Sequence, residues 1–155
     1  MAMEKFILTP ELGRLVKWLR ILGFDTLYFT AKNISSLVIT ALREDRIILT
    51  RNLHITASPG IKLFKVKDDM VTDQLTQIIA GLGLKLDQAK LFSRCIICNA
   101  ELVGIAKKEV EGKVPGYVFK AQEDFSLCPT CNKIYWSGTH WGNVKDTLKE
   151  IGALN

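Results

Sequence analysis

The chain has 155 residues, 48% of them apolar, which supports a real hydrophobic core and argues against global disorder. Its net charge is +5, compatible with a polyanionic partner such as RNA; thirteen basic and nine acidic residues fall in 1–90, and eight and seven after it. No apolar run approaches the roughly 20 residues that cross a bilayer, and Met1–Pro10 lacks a signal-peptide pattern, so a cytoplasmic protein without a membrane partner is expected.

Phe6-Ile7-Leu8, stopped by Thr9-Pro10, reads as a buried strand. Leu12, Leu15, Val16, Leu19 and Leu22 then recur at helical spacing, and Gly23 ends that helix. Asp25 to Phe29 has the composition of a second strand. A second helix follows, with Ser35 as its expected N-cap and Leu37, Val38, Ala41 and Leu42 facing the core. Arg46 to Thr50 and Lys62 to Val66 read as the third and fourth strands, and Val71 to Leu82 as another helix. Asp68 and Asp69 read as a cap for it. Strands alternating with helices imply a parallel sheet flanked by helices. Such a sheet places ligands at the carboxyl ends of its strands, here Thr9, Asn52 and Lys67-Asp68-Asp69.

Gly81 to Lys90 reads as a linker, dividing the chain into an α/β domain over 1–90 and a small second domain over 91–155. In the latter, Leu102–Lys108 is expected to pair with Val114–Lys120 as a hairpin, and a helix over Asn143–Ile151 closes the chain.

The second domain carries the four cysteines as two pairs, Cys95/Cys98 and Cys128/Cys131. Each Cys-x-x-Cys turn presents two thiols to one ion, and two such turns complete the tetrahedral thiolate set that structural zinc takes. The separation of the pairs exceeds the usual zinc-finger spacing of about 15–20 residues, which leaves room for the hairpin. A thioredoxin-like redox pair would need only one such turn, and two disulfides would suit a secreted chain. Structural zinc is therefore the expected cofactor. Tyr135 and Trp136 read as the ribbon's own core. His140 is read as packing beside the ribbon or, with Trp136 and Trp141, contacting RNA.

Leu12-Gly13-Arg14-Leu15, Lys17-Trp18-Leu19-Arg20 and Leu22-Gly23-Phe24-Asp25-Thr26 resemble the opening of the Mut7-C ribonuclease family. Arg46-Ile47-Ile48-Leu49-Thr50-Arg51 resembles its third-strand motif. Phe92-Ser93-Arg94-Cys95, Cys98-Asn99, Cys128-Pro129-Thr130-Cys131 and Tyr135-Trp136-Ser137-Gly138-Thr139-His140-Trp141 resemble its zinc ribbon. The resemblance implies a PIN-like nuclease fold followed by a zinc ribbon. It also implies RNA cleavage by clustered carboxylates holding Mg²⁺ or Mn²⁺. In the family pattern acids stand where this chain has Thr9 and Asn52, and a third is expected near Asn33-Ile34. Glu44 and Asp68 remain as residual catalytic acids, with Glu11 nearby.

Arg14, Lys17 and Arg20 on the first helix, with Arg51 after the third strand, are the candidate RNA-binding residues, because a guanidinium fork suits phosphate oxygens. Three functions are expected from this pattern. The first is an RNA-binding protein of ribonuclease ancestry with a degenerate site, docking on ribosomal or other structured RNA. The second is a working ribonuclease dependent on Mg²⁺ or Mn²⁺. The third is a protein-interaction module whose zinc ribbon contacts a partner.

Overall fold

The structure is a computed structural model that describes residues 3–137 and 140–152, with 140–143 described by their backbone alone. Four strands, β1 (Lys5–Leu8), β2 (Asp25–Tyr28), β3 (Ile47–Thr50) and β4 (Leu63–Lys65), form one parallel sheet in the order β2-β1-β3-β4. The register sets Phe6 against Thr26 and Ile47, and Ile48 against Leu63. Helices α1 (Gly13–Ile21) and α2 (Ile34–Glu44) are the first two crossovers that parallel pairing demands; residues 51–62 make the third without a helix, and α3 (Val71–Leu82) follows β4.

The leucine spacing of the first helix is realised in packing. Leu12, Leu15, Val16, Leu19 and Leu22 are all buried in one cluster with Phe6, Leu8, Phe24 and Leu49. The other sheet face buries Ile7 and Ile48 against Leu37 and Ala41 of α2. Leu42, expected to face this core, is exposed. The N-cap of α2 is Asn33 rather than Ser35: the Asn33 Oδ1 accepts from the Ser35 amide at 2.8 Å. Asparagine's short carbonyl caps the helix start directly. Met70 stands at the N-cap of α3 with no side-chain bond to the helix, so Asp68 and Asp69 do not cap it.

The second unit differs from the expected hairpin. β5 (Val103–Ile105) pairs antiparallel with β6 (Phe125–Leu127), and β6 with β7 (Ile134–Tyr135). Val114–Lys120 is not a strand: Gly116–Ala121 forms a short helix, α4. Only Val118 of its apolar run is fully buried, joining Val110 and Phe125 in a small core, while Tyr117 is 76% exposed. One inward residue per turn suits a helix; a strand would turn Tyr117 and Phe119 to the same face.

The closing helix α5 (His140–Glu150) returns to the first unit. Leu148, and Ile151 just past it, are buried in the α/β core beside Leu75 and Ile78. The connecting segment is docked as well. Gly23 has φ +94, and a Cβ there would lie 2.5 Å from the Lys90 carbonyl oxygen, so glycine serves both the helix stop and the close passage of the connector.

Candidate functional site

Two sites emerge, one at the cysteines and one at the carboxyl edge of the sheet. The backbone builds the first from two matching turns. Asn99 N–H donates to Cys95 O, and Asn132 N–H to Cys128 O, each at 2.9 Å. Both asparagines take the left-handed conformation that reverses the chain after the second cysteine, at φ 74 and 63. The four Sγ atoms lie within 4.8 Å of one another, with Cys98–Cys128 at 3.2 Å and Cys95–Cys131 at 3.6 Å. Four sulfurs at 2.3 Å from a central zinc would be about 3.8 Å apart, so the set fits a tetrahedral ion.

The surroundings divide the four thiols, lowering Cys95 and Cys128 and raising Cys98 and Cys131. Burial raises the Cys95 thiol, but the Tyr135 hydroxyl and the Cys98 and Ile97 amides outweigh it and bring it down to about 6. Tyr135 Oη sits 3.0 Å from Cys95 Sγ, an interaction that reading Tyr135 as ribbon core did not anticipate. The Ala100 amide lowers Cys98, yet burial and the neighbouring cysteines prevail and push it up to about 12. A divalent cation at their centre would let all four crowded thiols ionise together. The cluster can hold a metal ion such as zinc.

The second site lies where strand order reverses, between β1 and β3, the place where open parallel sheets bind ligands. Thr9 follows β1 and Thr50 ends β3. Glu11 bridges them: its Oε1 lies 2.6 Å from Thr9 Oγ1 and 3.1 Å from Thr50 Oγ1, and accepts from the Arg51 amide at 2.9 Å. Thr9 and Thr50 hydroxyls are 2.7 Å apart. Burial raises the Glu11 carboxyl, but the hydrogen bonds from Thr9, the Arg51 amide and Thr50 outweigh it and leave it below the usual range. Asn52 uses its side chain on its own loop, accepting from the His54 amide. Lys65 turns its ammonium into the Asn52 and Ile55 carbonyls, closing that loop over β4. Asp69 pairs with Arg51 at 2.5 Å, and Asp68 is exposed beside it.

Two sequence expectations need correction here. Glu44 is not at this edge. It precedes β3, so it lies at the amino ends of the strands, about 13 Å or more from Thr50 at the usual rise. There it pairs with Arg46 at 3.1 Å. Glu44 and Asp68 are therefore not brought together. Arg20 is not a surface cation either. It is 6% exposed, and its guanidinium donates to the carbonyls of Thr26, Ile96 and Ile97. Arg14 and Lys17 are exposed one turn apart on α1, with Arg14 near the carboxyl edge and Arg51 on it. The side chains of His140 and Trp141 lie outside the described residues.

Asp25, at the amino edge, accepts from Arg46 Nη1 at 2.8 Å and from Asn99 Nδ2 at 2.6 Å. Burial raises this carboxyl, but the Arg46 and Asn99 hydrogen bonds prevail and hold it below its ordinary 3.8. A depressed carboxylate contributes stability above its unfolded pKa and loses it as pH falls through the folded value. Acid titration should therefore destabilise the protein below about pH 4. Asp25→Asn should show a shallower loss over that range, measured as the midpoint of urea unfolding against pH.

The Mut7-C RNAse domain family model matches residues 4–148. The chain belongs to the Mut7-C RNAse domain family. Comparison with curated proteins and with solved structures gave no significant match. Within a Mut7-C protein the alternating α/β sheet and the four-cysteine cluster fall in the order the sequence indicated. Among the described residues, no helix is long and apolar enough to cross a membrane.

Proposed function

We propose that this Mut7-C protein holds RNA by its backbone at the carboxyl edge of the sheet and no longer cleaves it. The observation that carries this reading is the switch point between β1 and β3. Positions that the family resemblance makes acidic are Thr9 and Asn52, and the carboxylate beside them, Glu11, has one oxygen already accepting from three donors. Mg²⁺ and Mn²⁺ are held by oxygen ligands that neutralise their charge. One engaged carboxylate and an exposed Asp68 form a poor cage for either. Asn33, near the third expected acid, caps α2.

The cations outlast the acids. Arg14, Lys17 and Arg51 are the proposed phosphate contacts, and their reach suits ribosomal or other structured RNA read by shape rather than by sequence. The four free cysteines take structural zinc, in keeping with a reducing cytoplasm. The ribbon's exposed side remains a place for a protein partner.

Salt-dependent binding tests the reading. RNA affinity should fall steeply between low and physiological salt. Arg14→Ala and Arg51→Ala should each lower the log–log slope by about 0.7 for single strands. Fluorescence anisotropy with a labelled RNA measures this. Binding with no salt dependence, or unaffected by the paired substitution, would remove the proposed surface.

A further inference from the structure

We infer that the first cysteine turn is an integral part of the sheet's edge, and that Arg20 and Asn99 are positioning residues coupling metal binding at the cysteines to the order of β2. The inference rests on the zinc reading of the four cysteines.

β2 is an edge strand, and Thr26 within it is fully buried. An edge strand leaves one row of backbone groups without strand partners, and a buried one must find others. Thr26 finds them in Asn99 of the second unit and Arg20 of α1. Its N–H donates to Asn99 Oδ1 at 2.9 Å, and its C=O accepts from Arg20 Nε at 3.0 Å. The same guanidinium reaches the Ile96 and Ile97 carbonyls with Nη1, at 2.9 and 3.1 Å. Those are the two residues between Cys95 and Cys98. Asn99 also donates from Nδ2 to Asp25, so one residue next to a cysteine holds two consecutive residues of β2.

The two cysteine turns share a backbone but differ in what their asparagines do. Asn99 is 8% exposed and makes both bonds. Asn132, at the matching place, is exposed and makes no side-chain hydrogen bond among the described residues. A metal that fixes Cys95 and Cys98 also fixes the intervening carbonyls and Asn99, and through them Thr26. Coupling of this kind is reciprocal: groups that hold the turn in its metal-binding shape raise metal affinity.

Asn99→Gly isolates the effect. Glycine accepts φ 74 without strain, so the turn is kept and only the side-chain bonds are lost; Asn132→Gly is the matched control. Zinc affinity of the full chain is measured by competition with a chromophoric chelator. Amide exchange at Thr26 is followed with zinc and after EDTA. Asn99→Gly should weaken zinc by about ten- to a hundredfold, and Asn132→Gly should leave it unchanged. EDTA should speed exchange at Thr26 by about tenfold or more while Ile7 and Ile48 stay protected. Equal zinc affinities for the two variants would overturn the coupling. So would a Thr26 amide indifferent to EDTA, a readout on the wild-type chain that needs no variant to fold. A wild-type chain that binds no zinc would overturn the metal reading itself, and the coupling with it.

Discussion

Removing the metal, or replacing Cys128 by Ser, is expected to unfold the ribbon while the larger part of the α/β core persists. Among the described residues, the small core of the second unit is a cluster of three buried side chains, Val110, Val118 and Phe125. Three such side chains contribute roughly 1.5–3 kcal/mol each. Conformational entropy opposes ordering the unit, and so small a core offsets little of it. Structural zinc supplies about 10–16 kcal/mol of apparent binding free energy in comparable small units, more than those three side chains together. Tyr135 and Trp136 report the change. Tyr135 lies against Cys95, and the Trp136 ring packs 6.5 Å from that of Phe125. Their near-ultraviolet circular dichroism should collapse on chelation, while most far-ultraviolet signal from α1, α2 and α3 remains. A ribbon spectrum unchanged by complete metal removal would contradict this.

The second large effect is expected at Arg46→Ala. Arg46 is buried between the amino ends of β1 and β2, with Nη1 near the Phe6 and Asp25 carbonyls and both Asp25 and Glu44 carboxylates in contact. Deleting this buried cation strips the pairing from two half-buried carboxylates and two backbone carbonyls, at a loss of up to about 3–5 kcal/mol. Asp25 would keep only its bond from Asn99. Chemical unfolding should show the loss in full. Arg43→Ala, whose contact with Glu44 is 3.7 Å long and exposed, should change stability by no more than about 1 kcal/mol.

Much of the fold is legible in the chain because hydrophobic period and turn residues agree over the first 82 residues. The α1 leucines, the strand at Ile47–Thr50 and the helix at Val71–Leu82 are all found where spacing indicates. The misreadings have physical causes. Tyr117-Val118-Phe119 is too short an apolar run to separate strand from helix by period. Pro115, which stands at the N-cap of α4, is the helix signal that the sequence offered. Glu44 is singled out by the family resemblance, as the acid before the third strand, yet a residue before a parallel strand sits at the edge opposite to ligands. Arg20 carries the charge of a surface cation, and only the docking of the second unit buries it. The four cysteines were legible because ligand spacing is local. The Thr9–Glu11–Thr50 cluster was not, because 39 residues separate Glu11 from Thr50 and only the β1–β3 pairing joins them.

The most direct test is incubation of zinc-loaded protein with single-stranded and structured RNA in Mn²⁺, Mg²⁺ or EDTA, resolved on native and denaturing gels. The account predicts RNA that is retarded on the native gel and intact on the denaturing gel under all three conditions. Cleavage that requires the divalent ion, and is lost in a Glu11→Gln, Asp68→Ala variant, would contradict it and show that the surviving acids hold a working metal site.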